Sequence, residues 1–129
     1  MIQSPQTSIV RSFSQADFDC FARLSGDDNP IHVDPEFSRR TRFGRTVAHG
    51  LLLCSVLRGL VEKLLPDGRL ADQSVMFPAP TFAGDAMRFA VAVVGRDHEG
   101  SKELIECKLE VKRIADSVVT CQGHCRVVI

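Results

Sequence analysis

From Val47 to Leu65 the chain reads VAHGLLLCSVLRGLVEKLL. Wound as a helix, this stretch places apolar side chains on nearly every side, among them Leu52, Leu53, Val56, Leu57, Leu60 and Val61. That pattern predicts a helix buried all round, in contrast to a surface helix with one apolar stripe. Pro66 and the Asp67-Gly68 pair end it. At a rise of 1.5 Å per residue such a helix is about 28 Å long, the span of a small domain, so it is expected at the centre of the core.

The residues on either side supply what the helix packs against. After it, alternating apolar and polar residues separated by turn-rich DHEGS and ADS predict antiparallel strands over 73–83, 87–96, 103–114 and 118–128. In the third, Cys107, Leu109 and Val111 alternate with Glu106, Lys108, Glu110 and Lys112, giving one buried and one wet face. Before the helix, Ser14 reads as an N-cap with Asp17 three residues on, and Phe13 and Phe18 are spaced as a hydrophobic staple. A short helix follows to about Leu24, with Gly26 as its left-handed stop, and 27–35 reads as loop. The fold class is therefore α+β, a curved antiparallel sheet wrapped around one long central helix.

Composition narrows the function classes. The chain has 129 residues, 44% hydrophobic and 25% charged, enough for a single domain over 1–129. Its 16 basic residues balance 16 acidic ones, so no global field draws it to nucleic acid or an anionic membrane. Tryptophan and tyrosine are absent, which removes the usual platforms for stacking on bases or sugars. The most apolar run, Leu51 to Leu57, is far short of the roughly 20 residues a membrane helix needs, and MIQSPQTS has no signal pattern. Cys20, Cys54, Cys107, Cys121 and Cys125 are odd in number and lack CxxC spacing, so reduced thiols and a cytoplasmic location are expected. Cys121, His124 and Cys125 do not make a metal site, because on a strand His124 points away from both thiols.

Two segments carry chemistry. Ser25-Gly26-Asp27-Asp28-Asn29-Pro30-Ile31-His32 packs carboxylates and an imidazole around an Asn-Pro turn. There Asp27 and His32 can converge on one water, the carboxylate accepting its proton while the imidazole orients it. Ordinary Asx-turns would also explain the cluster. Phe43-Gly44-Arg45-Thr46-Val47-Ala48-His49-Gly50 leads into the long helix. Gly50 lies in its first turn, where free N–H groups attract developing negative charge and the missing Cβ lets an oxygen come close. Close packing on the sheet would equally account for that glycine.

Taken together, FARLSGDDNPIH over 21–32, Phe43-Gly44-Arg45, His49-Gly50 and FPAPTFAGD over 77–85 resemble the hydratase 2 motif of the MaoC-like dehydratases. The resemblance covers about 13–90 and implies a hotdog fold, a homodimer, and a 2-enoyl thioester of coenzyme A or of an acyl carrier protein as substrate. It further implies that Asp27 and His32 hold and activate the water, that the Gly50 N–H binds the thioester oxygen, and that neither a metal nor a redox cofactor is needed. Asn29 belongs to the same motif, and His49 shapes the glycine's loop.

Arg58 departs from the resembled family, which often carries a small hydroxyl residue eight positions after that glycine. It is either the partner of Glu62 one helical turn on, or a lining residue that narrows the acyl pocket or pairs with a polar tail. Arg39, Arg40, Arg42 and Arg45 form a basic loop suited to carrier phosphates or an acidic carrier surface, or are simply solvated. The expected activity is reversible hydration to the (R)-3-hydroxyacyl thioester. The alternatives are thioester hydrolysis and a non-catalytic acyl-thioester-binding or assembly subunit.

Overall fold

In the computed structural model, which describes residues 5–129, the chain runs β1 (Gln6–Arg11), α1 (Gln15–Ser25), α2 (Pro30–Val33), α3 (Pro35–Arg39), α4 (Gly50–Leu64), β2 (Arg69–Met76), β3 (Met87–Glu99), β4 (Lys102–Arg113) and β5 (Val119–Val128). The strands form one antiparallel sheet in the order β1-β3-β4-β5-β2. One face of α4 lies on this sheet: Leu53, Leu57, Leu60 and Val61 pack with Phe89, Val91, Leu109, Val111 and Cys121 in a single buried cluster. The sheet-and-helix arrangement is the α+β class the sequence pattern predicts and the hotdog fold the resemblance implies.

Local signals act where they were read. Ser14 caps α1 through the Asp17 N–H, the Asp17 carboxylate returns the bond to the Ser14 N–H, and Gly26 closes the helix at a φ of 82°. The staple forms as well, with the Phe13 and Phe18 rings 6.3 Å apart.

Five features depart from the sequence reading. The long helix starts at Gly50, three residues after Val47, because the Val47 and Ala48 amides are spent on Ile31 and Thr81 carbonyls. It is also not buried all round: Leu51 is 70% exposed, since only one face meets the sheet. The strand expected over 73–83 instead occupies Arg69–Met76, because Pro78 and Pro80 have no N–H to give a ladder. The N-terminal β1 was not foreseen; its short half-exposed run becomes a strand only by pairing with β3. The stretch read as loop after Asp27 contains α2 and the start of α3, each begun by a proline at its first turn.

Two close approaches shape the sheet. Gly123 faces Val75 across β2 and β5, and a Cβ there would stand 2.0 Å from the Ser74 carbonyl oxygen. On β5, Val119 pairs with Lys112 and Cys121 with Val111, so Thr120 is an extra residue without a partner, a β-bulge. All five cysteines are free thiols, and four of them are buried. Cys107 and Cys125 stand opposite each other on β4 and β5, where the hydrogen bond between them and burial push the Cys125 thiol up. No helix among the described residues is long and apolar enough to cross a membrane.

Leu57 is fully buried at the contact of α4 with the sheet. Leu57→Ala is expected to lower unfolding free energy by about 3 kcal/mol in urea denaturation, through lost burial and the cavity left behind.

Candidate active site

The end of α1, the α2 turn and the approach to α4 come together because their backbones are bonded to one another. The Val47 N–H donates to the Ile31 carbonyl at 2.9 Å and the Ala48 N–H to the Thr81 carbonyl at 2.8 Å. Gln15 ties the α2 turn down, donating from Nε2 to the His32 carbonyl at 2.9 Å while its Oε1 accepts from the buried Thr46 hydroxyl at 2.6 Å. Asn29 caps α2 by accepting from the Ile31 N–H at 3.2 Å. The Asn29 N–H in turn faces Asp27 Oδ1 at 3.4 Å.

These constraints set the imidazoles. His32 Nδ1 lies 2.7 Å from the Val47 carbonyl oxygen. A carbonyl only accepts, so Nδ1 carries a proton and Nε2 is the ring nitrogen that faces Asp27. His32 Nε2 and Asp27 Oδ2 are 3.7 Å apart, too far for a direct hydrogen bond and close enough for both to bond one water at about 2.8 Å. His49 is 2% exposed and donates from Nε2 to the Asp27 carbonyl at 2.8 Å. Its ring stacks on His32 at 3.8 Å with planes 21° apart, and the Phe21 ring lies against it at 4.8 Å.

Asp27, His32 and His49 present ligand-type atoms within 4.8 Å of one another. Each ring already gives one nitrogen to a backbone carbonyl, His32 through Nδ1 and His49 through Nε2.

A cavity of about 570 Å³ opens beside this group. Asp27, Arg42 and Leu51 are exposed residues at its rim, while buried Leu53, Thr81 and Thr120 form its inner wall. Gly50 and His49 line it where α4 begins. The Gly50 N–H finds no acceptor among the described residues. A Cβ on Gly50 would come within 2.6 Å of the Phe77 ring, so the glycine also admits Phe77 to the cavity wall.

The structure thus brings Asp27, His32, His49 and Gly50 together, with Asn29 holding their turn. Arg45 and Arg58 are not on the cavity wall. Arg45 donates to the Ala83 carbonyl at 2.6 Å, lies over Phe82 and faces Asp85, bracing the segment that leads into β3. Arg58 pairs with Glu62 at 3.5 Å, the local alternative of its two readings. The arginine that does line the cavity is Arg42, stacked over Phe43. Thr81 and Thr120 were missed as lining residues. Thr81 lies within the FPAPTFAGD segment, but nothing local marks Thr120, whose inward position depends on the β5 bulge.

The family model described as MaoC like domain matches residues 2–115. The chain belongs to the MaoC-like domain family. The (R)-specific enoyl-CoA hydratase of Aeromonas caviae is 41% identical over 87 residues, which span 66% of this MaoC-like chain and 65% of the relative. The mitochondrial 3-hydroxyacyl-[acyl-carrier-protein] dehydratase of Arabidopsis thaliana is 26% identical over 115 residues, 89% of this chain and 69% of that one. The match thus spans about two thirds of these curated relatives' length, slightly less for the hydratase. Among solved structures, the (R)-hydratase from A. caviae superimposes with a TM-score of 0.88 at 29% identity, covering 98% of this chain and 96% of that chain.

Loss of the α2 cap is the direct test of how the turn is held. Asn29→Ala is expected to cost about 1 kcal/mol in chemical denaturation and to move the His32 ring resonances in NMR spectra, because the cap sets the turn that carries His32.

Proposed function

We propose that the chain is a hydro-lyase that reversibly adds water across the 2,3-double bond of a 2-enoyl thioester to give the (R)-3-hydroxyacyl thioester. The observation that carries this reading is the 3.7 Å separation of Asp27 Oδ2 and His32 Nε2 beside a cavity that also holds the unpaired Gly50 N–H. The names of the relatives from A. caviae and A. thaliana support the substrate class and the stereochemistry of the hydratase product.

In this reading a water donates one hydrogen bond to Asp27 and the other to the Nε2 lone pair of His32. Asp27 takes the first proton as the water oxygen bonds to C3. The electron pair of the double bond moves into the thioester carbonyl and leaves negative charge on its oxygen. The Gly50 N–H, at the positive end of α4, bonds that oxygen most strongly when the charge is greatest, so the interaction favours the transition state over the substrate. The proton on Asp27 then passes to C2, and the sum is one water added with nothing oxidised or reduced. Dehydration is the same path reversed. His49 and Asn29 act as positioning residues, one through the Asp27 carbonyl and the His32 ring, the other through the cap of α2.

Coenzyme A and acyl carrier proteins present the acyl group on the same phosphate-bearing arm, and Arg42 at the rim offers it a cation. Arg39 is paired with Glu36, and Arg45 with Asp85, which leaves Arg40 and Arg42 of the basic segment without ion-pair partners among the described residues. In keeping with its free thiols, the protein is read as a single-domain cytoplasmic homodimer. The exposed apolar groups Leu51, Met76 and Phe77 support the pairing, lying beside the cavity rim and at the open edge strand β2. Sedimentation equilibrium is expected to give twice the mass of the chain, and a mass of one chain at micromolar concentration would sink the dimer.

The assay that tests the reaction follows the enoyl-thioester absorbance of crotonyl-CoA while free thiol is monitored. The band is expected to fall without thiol release. Asp27→Asn is expected to lower kcat by about 10³-fold with thermal unfolding unchanged. Thiol release in step with the loss of absorbance would identify a thioesterase instead, and tight binding without turnover would identify an acyl-binding subunit.

A further inference from the structure

Residues that line the cavity carry buried polar atoms that the fold leaves unpaired. Among the described residues, four buried side-chain polar atoms lack a hydrogen-bond partner: His49 Nδ1, Thr81 Oγ1, Arg113 Nε and Thr120 Oγ1. Arg113 Nε still faces Asp85 at 3.3 Å. The other three belong to residues that line the cavity. Thr81 and Thr120 are 2% and 0% exposed, and valine would fill either place with the same shape and no hydroxyl to satisfy.

The position of Thr120 has its own structural cause. The bulge on β5 breaks the alternation of that strand, so the consecutive residues Thr120 and Cys121 are both fully buried. A bulge of this kind re-aims a side chain at a site. Thr81 reaches the cavity independently, from the β2–β3 connection, where its carbonyl accepts from the Ala48 N–H two residues before Gly50. Two separate segments therefore each place a buried threonine with an unpaired hydroxyl among the residues that line the cavity, whose rim carries the exposed Asp27 and Arg42.

We propose that Thr81 and Thr120 form a specificity site for an acyl group that carries a neutral oxygen function, a hydroxyl or a carbonyl, beyond its reacting double bond. The inference rests on the hydratase reading above and names the substrate class of the same site. A threonine hydroxyl turns to donate or accept, so a pair of them serves either function. A plain alkyl tail would bury both hydroxyls unpaired, and a site built to bond a polar group discriminates strongly against a substrate that lacks it. A carboxylate is disfavoured because Arg42, the arginine on the cavity wall, stands at the rim and leaves the inner wall without a cation.

The test is a comparison of dissociation constants for unreactive saturated thioesters, measured by calorimetry on the full chain. Butanoyl-CoA is paired with 4-hydroxybutanoyl-CoA, and hexanoyl-CoA with 6-hydroxyhexanoyl-CoA. The wild type is expected to bind the hydroxylated member of at least one pair about tenfold more tightly, and the double variant Thr81→Val/Thr120→Val to lose that preference while melting no lower than wild type. The two single variants read the same ratio should the double variant not fold. The absence of any preference in the wild type, or a preference that survives in the valine variants, overturns the proposal. Crotonyl-CoA turnover on the same samples separates the two readings. Hydration without a hydroxyl preference overturns this inference alone, whereas a threonine-dependent preference without any hydration overturns the hydratase reading and leaves the polar inner wall standing.

Discussion

The seat of α4 on the sheet is the constraint from which the other features follow. Leu53, Leu57, Leu60 and Val61 lie against residues of β3, β4 and β5, and the apolar area they remove from water fixes both the axis of the helix and its rotation about that axis. With the rotation fixed, Gly50 is held at the first turn on the cavity wall, and Leu51 is left exposed at the rim.

The site is assembled on that helix from segments that are weak structures by themselves. The single turn of α2 has no buried residue, and its cohesion comes from the Asn29 cap, the Gln15 amide and the Val47 backbone. Val47 uses both of its peptide groups in this way, its N–H on Ile31 and its carbonyl on His32 Nδ1. The carbonyl thereby keeps a proton on Nδ1 and leaves Nε2 as the ring nitrogen that faces Asp27. His49 adds the stacking contact and the bond to the Asp27 carbonyl, so the two groups that face each other across 3.7 Å are each held from behind. Preorganisation of this sort is what the proposed activation of a water requires.

Much of this was legible in the residues. The capping box at Ser14 and Asp17, the Gly26 stop and the alternation in β4 are local effects, decided within a turn or a strand, and they act in the structure as they read in the sequence. Asp27, His32, His49 and Gly50 also converge as the motif implied. What misled was context. Arg45 looked free to meet a ligand, but Asp85 lies forty residues beyond it, whereas Arg58 takes the Glu62 partner that the sequence itself offered one helical turn on. The long helix read as wholly buried because hydropathy reports what a side chain tolerates and not which face has a neighbour.

The sequence by itself determined the helix and strand types, the α+β class and the family, because periodicity, caps and a short motif are properties of neighbours along the chain. Only the tertiary structure decided that β1 exists, that Arg42 takes the cavity wall in place of Arg45, and that Thr81 and Thr120 stand unpaired at its inner end. The physical reason is common to all three. A strand with little burial of its own, an arginine with several carboxylates in reach and a bulge in a ladder take their conformation from partners distant in sequence, and the free energy that chooses among those partners is that of the packed whole.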